Sequence, residues 1–563
     1  MYIQSIRKLV PSNTHTVFFP LPVRGVSLFI LILALLPGCG ADTDSVDLSC
    51  TQGNGNSCTV PCSDLLNTLD TASPGDSYSV SSCALVGQIS VPPGVTLIGD
   101  ASGVRSQITL SAHGEALTVN SLAGLTTNVS GFDVYSEASV ATLLMGDGEI
   151  SLSNMDILSR SGFGLIADGL SSLTASNLQF TGLIEDPSAI QYPINPRDFP
   201  AIGVAAFNVH SLLFDDVNIS GFSGFGSVIS QVNGTWGNSL IDENLGVGLL
   251  LNGGTMNIEN TTISNTDNCP HISCALNNQV FALAVTSPDN LEAIDPGGIL
   301  GTETILYSSG LTLSDNGGIA YFQDGDGTVS VHDGGLLIEH NEQVGIWLQD
   351  ISGSLDAPAF QISSDGASLE DNGGVALFAG HSSGISIENT SLNCTQLMPT
   401  IVEGRGSIDM GDGMQIVQLG GALSLNGVDI ASDNAANNAR VGLLIDGDLS
   451  GLNDVSMNNI QITGDGGLGM ILQNGALTDG EWDIDVDESL SENDASFDGT
   501  LEVASNISTS PSANLTGSGG LIGSTGLVDE QGNLGSNVSI QEGGVLNTDE
   551  DEDISGSEVA TDG

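Results

Sequence analysis

Cations are what this sequence lacks. Against 68 aspartates and glutamates it sets 8 lysines and arginines, for a formal net charge of −60. Lys8 is the only lysine. Charged residues total just 13%, so the imbalance comes from missing bases rather than surplus acid. Nucleic-acid binding needs Lys and Arg to displace phosphate counterions, and that class is excluded. Hydrophobic residues at 40% separate the chain from acidic disordered proteins, because enough apolar surface is present to build a core. Aromatics are scarce at 4%, which suits a narrow interior. Long apolar runs are missing too. The longest stretch, Val26 to Leu36, is shorter than a bilayer span and reads as the apolar part of an export leader.

Residues 1–38 contain no acid and hold Arg7, Lys8 and Arg24. The leader ends Leu36-Pro37-Gly38-Cys39, which resembles the lipobox of bacterial lipoproteins, although Pro37 replaces the usual small residue. The resemblance implies cleavage before Cys39, lipidation of that cysteine (palmitate included) and a membrane anchor. Gly40 after Cys39, where an aspartate would signal inner-membrane retention, implies the outer membrane or surface of a Gram-negative cell. Residues 39–58 read as a flexible tether.

Export makes disulfides available. Cys50, Cys58, Cys62 and Cys83 cluster at the start of the folded region, where two bridges have three possible pairings. Cys269 and Cys274 bracket a short loop and suggest a local staple, and Cys394 is left over as a buried thiol.

Self-similarity dominates the rest. Ser314-Asp315-Asn316-Gly317-Gly318-Ile319-Ala320-Tyr321-Phe322 returns as Glu370-Asp371-Asn372-Gly373-Gly374-Val375-Ala376-Leu377-Phe378, with Val344-Gly345-Ile346-Trp347-Leu348-Gln349 between them. The period is therefore about half the separation of the two long copies. Val247-Gly248-Leu249-Leu250-Leu251, Val441-Gly442-Leu443-Leu444-Ile445 and Gly469-Met470-Ile471-Leu472 share one strand motif. Short apolar strands alternate with Asn-Gly, Asp-Gly and Gly-Gly turns and no amphipathic helix intervenes, so the expected architecture is a β-solenoid. Recurring turn asparagines (Asn154, Asn177, Asn260, Asn389, Asn459) are expected to hydrogen-bond along the stack.

The chain resembles the right-handed parallel β-helix proteins of the pectin-lyase-like superfamily. The opening carries the same likeness: Leu65 to Leu69 as a short N-terminal cap, a Pro74-Gly75-Asp76 turn, and Gly94-Val95-Thr96-Leu97-Ile98-Gly99 as a first-rung strand. The expectation is an all-β solenoid over 59–490, irregular terminal rungs or a cap over 491–545, and a disordered acidic tail over 546–563. About 16 rungs at ~4.8 Å would make a rod of roughly 75 Å.

This resemblance is specific for architecture and silent on activity. Lyases of the superfamily commonly use an Arg or Lys base with Arg or calcium facing the uronate carboxylate. No matching motif is present. Hydrolysis needs only two carboxylates at the right separation, but Asp215-Asp216 reads as a rung corner and Gly380-His381-Ser382 lacks partner motifs. No catalytic residue is assigned. The residues demand no cofactor. Calcium is the one that fits, at Asp324 and Asp326 of an Asp-Gly-Asp-Gly turn, where an ordinary tight turn explains the same residues. Asp483, Asp485 and Asp487 alternate along one strand and are open to the same two readings. The function expected is a lipid-anchored surface rod with a structural, adhesive or carbohydrate-contacting role, its partners a membrane and polysaccharide or another surface protein. The alternative is a glycoside-hydrolase-like enzyme with paired carboxylates on the rod face.

Overall fold

The computed structural model describes residues 49–183, 201–267, 280–287, 303–393 and 406–431 apart from a few positions inside these stretches, together with strand segments at 398–402 and between 441 and 555. The chain is a parallel β-helix. Cys39, Cys269, Cys274, Cys394 and the leader lie outside the described residues. No described helix is long and apolar enough to cross a membrane.

The fold begins with an antiparallel hairpin, Ser49–Gly53 against Gly55–Thr59, which sets Cys50 opposite Cys58. Cys58 is disulfide-bonded. A second disulfide joins Cys62 to Cys83, tying the capping segment to the first rungs. The cap is the helix Leu65–Asp70, whose Leu65 and Leu69 are buried over the open end of the apolar interior. The Pro-Gly-Asp turn then closes on its own carboxylate. Asp76 Oδ2 accepts from Ser73 N at 2.9 Å and from Tyr78 Oη at 3.0 Å. Burial, reinforced by this bond and charge, pushes the Tyr78 phenol up to about 12.

Each rung then repeats one plan. A strand such as Val247–Asn252 stacks in one sheet, and two further strands, Gly254–Glu259 and the shorter Thr262–Ser264, stack in another. We call the sheet of Val247–Asn252 the second sheet and the other the first. All pairings between successive rungs are parallel, from Ile89–Val91 with Glu115–Asn120 to Gly520–Gly523 with Val545–Asn547. At the far end Asp553–Ser555 turns back antiparallel on Val545–Asn547.

Several rungs are 22 to 25 residues long, as the corner bonds between neighbouring rungs show. The half-period expected from the 314–322 and 370–378 copies holds as an average, since two rungs separate them. Those copies are separated by two unequal rungs, one of 25 and one of 31 residues, and halving their sum hides the difference.

Three corners recur with left-handed backbone, two of them marked by asparagine. Asn154, Asn177, Asn238, Asn260, Asn389 and Asn459 all have φ between 46° and 53°, a conformation asparagine tolerates better than most residues. Their amides bond along the stack as expected: Asn177 Nδ2 donates to Asn154 Oδ1 at 3.3 Å, and Asn260 Nδ2 to Asn238 Oδ1 at 3.4 Å. Asp216 takes the same corner at φ 55°, and its neighbour Asp215 accepts from Asn238 Nδ2 at 2.8 Å. The second corner has Asp315, His340 and Asp371 in left-handed conformation, each followed by a buried asparagine. Asn316 Nδ2 donates to Asn341 Oδ1, and Asn341 Nδ2 to Asn372 Oδ1, both at 2.8 Å. This inner ladder satisfies backbone that turns inside the core.

The second-sheet motif explains its own glycine. A Cβ on Gly226 would stand 2.5 Å from Gly248 O, and one on Gly248 2.5 Å from Ala282 O. The column continues as Gly203, Gly226, Gly248 and Ala282, so small residues are needed wherever carbonyls of the next rung pass this closely.

Candidate functional site: a column of rings and its acidic edge

Alternation along the second-sheet strands sends every other side chain outward. In Ile319–Asp324, Tyr321 and Gln323 point into the helix. There Tyr321 Oη donates to Ser330 Oγ at 2.6 Å and Gln323 Nε2 to Thr328 Oγ1 at 3.0 Å. Phe322 points the other way and belongs to an apolar cluster separate from the main core. Register aligns Leu250, Ala284, Phe322, Trp347, Phe378 and Gln415 in one outer column.

Four rings on four successive rungs form a continuous line on this face. Phe281 and Phe322 have centroids 4.8 Å apart, Phe322 and Trp347 6.3 Å, and Trp347 and Phe378 5.1 Å. Phe322 and Phe378 are 5% and 7% exposed, whereas Phe281 and Trp347 are only partly buried. The line ends in polar groups, with Gln415 Nε2 donating to the buried Asp412 Oδ2 one rung beyond Phe378.

A polar column runs beside the rings. Register aligns Asn252, Thr286, Asp324 and Gln349, and Trp347 Nε1 reaches Gln349 Oε1 at 3.5 Å. Asp350 follows Gln349 at a left-handed corner, and His381 takes the equivalent corner one rung on. The corners are stacked through the backbone: Gly325 N donates to Gln349 O, and Asp350 N to Gly380 O, both at 3.1 Å. Two carboxylates, Asp324 and Asp350, therefore occupy successive rungs where the ring column meets its edge.

Asp324 and Asp326, the expected calcium pair, frame a turn with Gly325 at φ 93° and Gly327 at φ 81°. Thr328 Oγ1 closes the turn on Gly325 O at 2.8 Å. Among the described residues no three His, Cys, Asp or Glu side chains gather as a metal site. Asp483, Asp485 and Asp487 lie in the strand Trp482–Asp487, which pairs with Val455–Thr463. Sequence reasoning missed the ring column and assigned the scarce aromatics to the interior. Four rings stand on the outer face, although Trp236, Phe180 and Phe214 do fill the core.

No protein-family model and no curated protein matches the chain. Solved structures do. A periplasmic alginate epimerase is 9% identical, with 77% of this chain and 85% of that one covered at a TM-score of 0.25. The catalytic domain of a GH87 α-1,3-glucanase in complex with nigerose is 10% identical, with 77% and 67% covered at 0.28. An alginate lyase from Paenibacillus is 13% identical, with 55% and 98% covered at 0.23. Likeness at this level says nothing about what this chain acts on. The fold assignment rests on its own strand register.

Proposed function

We propose that the protein is an exported, surface-held β-helix that seats a linear polysaccharide along the outer face of its second sheet. The observation behind this reading is the line Phe281, Phe322, Trp347, Phe378, with one ring on each successive rung. Rungs advance by ~4.8 Å, close to the advance of one pyranose unit in an extended glycan, so the sugar repeat keeps step with the rungs. The partly exposed Phe281 and Trp347 offer stiff contact area to the C–H faces of sugars, the buried Phe322 and Phe378 hold them in line, and Thr286 and Asp324 supply hydroxyl-seeking groups alongside. Affinity electrophoresis against a panel of soluble polysaccharides tests this. Phe281→Ala and Trp347→Ala should each abolish the retardation seen for at least one polymer, and unchanged mobility of both variants in every gel would refute the platform.

Hydrolysis is the second reading, favoured by Asp324 and Asp350 on successive rungs beside the rings. Glycosidases place their carboxyl pair about 5–9.5 Å apart. Release of reducing ends that disappears in Asp324→Asn and Asp350→Asn, with binding retained, would establish it. The anchor at Cys39 is also our proposal, supported by the basic, acid-free leader and the Leu-Pro-Gly-Cys ending. It predicts incorporation of a palmitate analogue that Cys39→Ser removes.

A further inference from the structure

We infer that the first sheet carries a second contact surface, an uncharged track for a neutral linear polysaccharide centred on Tyr307. The ligand class rests on the glycan reading of the ringed face, whereas the residues are separate from it. Register joins one outward residue of each rung into a column along the longer first-sheet strands. It runs from Thr96 through Thr174, Leu213, Asn257 and Tyr307 to Ser424. Each member lies beside an inward, buried neighbour, as alternation requires, and none is charged. Other outward columns of the same sheet do carry acid, with Asp133 beside Asp156 and Glu339 beside Glu370.

Among the described residues Tyr307 is the most exposed aromatic side chain, at 46%. It stands near the middle of this column, with Asn257 one rung before it and Val331 and Gln361 on the next two rungs. Ile305 on the same strand also points outward and is half-buried, in register with Val329. A stiff ring is thus set among aliphatic groups, with an amide along the axis on either side. Asn257 Nδ2 donates to Glu259 Oε1, which leaves its carbonyl oxygen to accept from a hydroxyl.

Partners of different charge meet this column differently. A polyanion, or a second copy of the chain, brings negative charge against a net −60. A polycation is drawn to the acidic columns rather than to this one. A neutral polymer stacks its C–H faces on Tyr307 and covers no carboxylate, so it escapes the cost of desolvating charge. The ~4.8 Å rung advance keeps step with its sugar repeat here as on the ringed face.

The test uses the full chain in affinity gels cast with hydroxyethyl cellulose, a soluble mixed-linkage β-glucan, dextran or a polyuronate. Phe281→Ala/Trp347→Ala, which strips the ringed face, should keep part of the retardation by at least one neutral polymer. Adding Tyr307→Ala should weaken that remaining binding about tenfold, and adding Gln361→Ala instead should weaken it severalfold. Unchanged thermal midpoints check that these outward substitutions leave the fold intact. Remaining binding that Tyr307→Ala does not alter, or none remaining once the ringed face is stripped, overturns the track and leaves the ringed face standing. Binding that falls with Tyr307→Ala but not with the ringed-face variant upholds the track and removes the platform. Retardation by the polyuronate equal to that by the neutral polymers overturns the neutral assignment. A wild-type dimer that Tyr307→Ala converts to monomer in sedimentation marks a self-contact and also overturns it.

Discussion

Acid should loosen the middle of the rod through one buried imidazole. His332 points into the helix between register neighbours Ser308 and Ile362 and is 1% exposed. Its Nδ1 lies 2.6 Å from Ser308 Oγ, while Nε2 has no hydrogen-bond partner. The ring packs on Tyr321 and Phe360, with centroids 5.1 and 5.2 Å away. None of these neighbours can balance a positive charge, and burial pushes the imidazole down from 6.5 to about 3. The unfolded chain therefore takes up a proton below pH 6.5 that the folded chain refuses until about pH 3. Stability from this group is intact above pH 6.5 and is lost as pH falls. The cost is ~2 kcal/mol at pH 5 and approaches ~5 kcal/mol near pH 3. Stacked rungs open locally, so the assay is amide hydrogen exchange in Thr304–Ser309, Thr328–His332 and Phe360–Ile362. Two proteins are compared, Ser308→Ala and Ser308→Ala/His332→Leu, so that carboxylate titration common to both cancels. The single variant should lose protection in these strands between pH 7 and pH 5 by ~2 kcal/mol more than the double variant. Equal losses, or an imidazole that titrates near 6.5 by NMR in the folded wild type, would refute the reasoning.

Other outcomes follow from the corners and columns. Arg105→Gln removes the contacts to Asp133, Asp156 and Asn154 and should cost about 1–2 kcal/mol at low salt, with part returned by adding Asp156→Asn, as thermal denaturation will show. Asn341→Ala breaks bonds to Asn316, Asn372, Leu313 and Glu339 in the inner ladder and should cost about 3 kcal/mol or more. The same change at the exposed Asn260 should cost under ~1 kcal/mol, so local hydrogen exchange separates the two ladders. Gly226→Val, placing a side chain against Gly248 O and Ile241, should lower stability by at least ~3 kcal/mol and shift the thermal midpoint accordingly.

The architecture was legible because each rung spells the same local rules. Small residues recur at the second position of the second-sheet strands, where a carbonyl passes within 2.5 Å of a would-be Cβ, and asparagine recurs where φ turns positive. The outer asparagine corner could be read directly. The inner one was present as Asp315-Asn316 and Asp371-Asn372 and passed for ordinary turn, because burial cannot be seen in a polar pair flanked by glycines. The length of each single rung was hidden for a related reason, since unequal excursions at the corners leave the strands in register while varying the count. The ring column escaped because its members are irregularly spaced along the chain. Its signal was nonetheless available: Phe322, Trp347 and Phe378 occupy the same place in three copies of one strand motif, and copies compared position by position show an aromatic where alternation points outward. Asp350 and His381 had no such motif. Only the stacking of corners brings them beside Asp324.

Parallel stacking also governs how the charge is distributed. Register sets Asp133 beside Asp156 and Glu339 beside Glu370, so acids line up along the axis instead of dispersing. Residues 59–490 carry 51 acids against five arginines, a net of −46, which over a rod of roughly 75 Å amounts to ~1.6 Å of axis per charge, about the ~1.7 Å of duplex DNA. At that density the rod behaves as a polyelectrolyte and moves within a condensed sheath of small ions. Any polycation that docks along it liberates part of that sheath, and the entropy of those freed ions drives association before a single ring is touched.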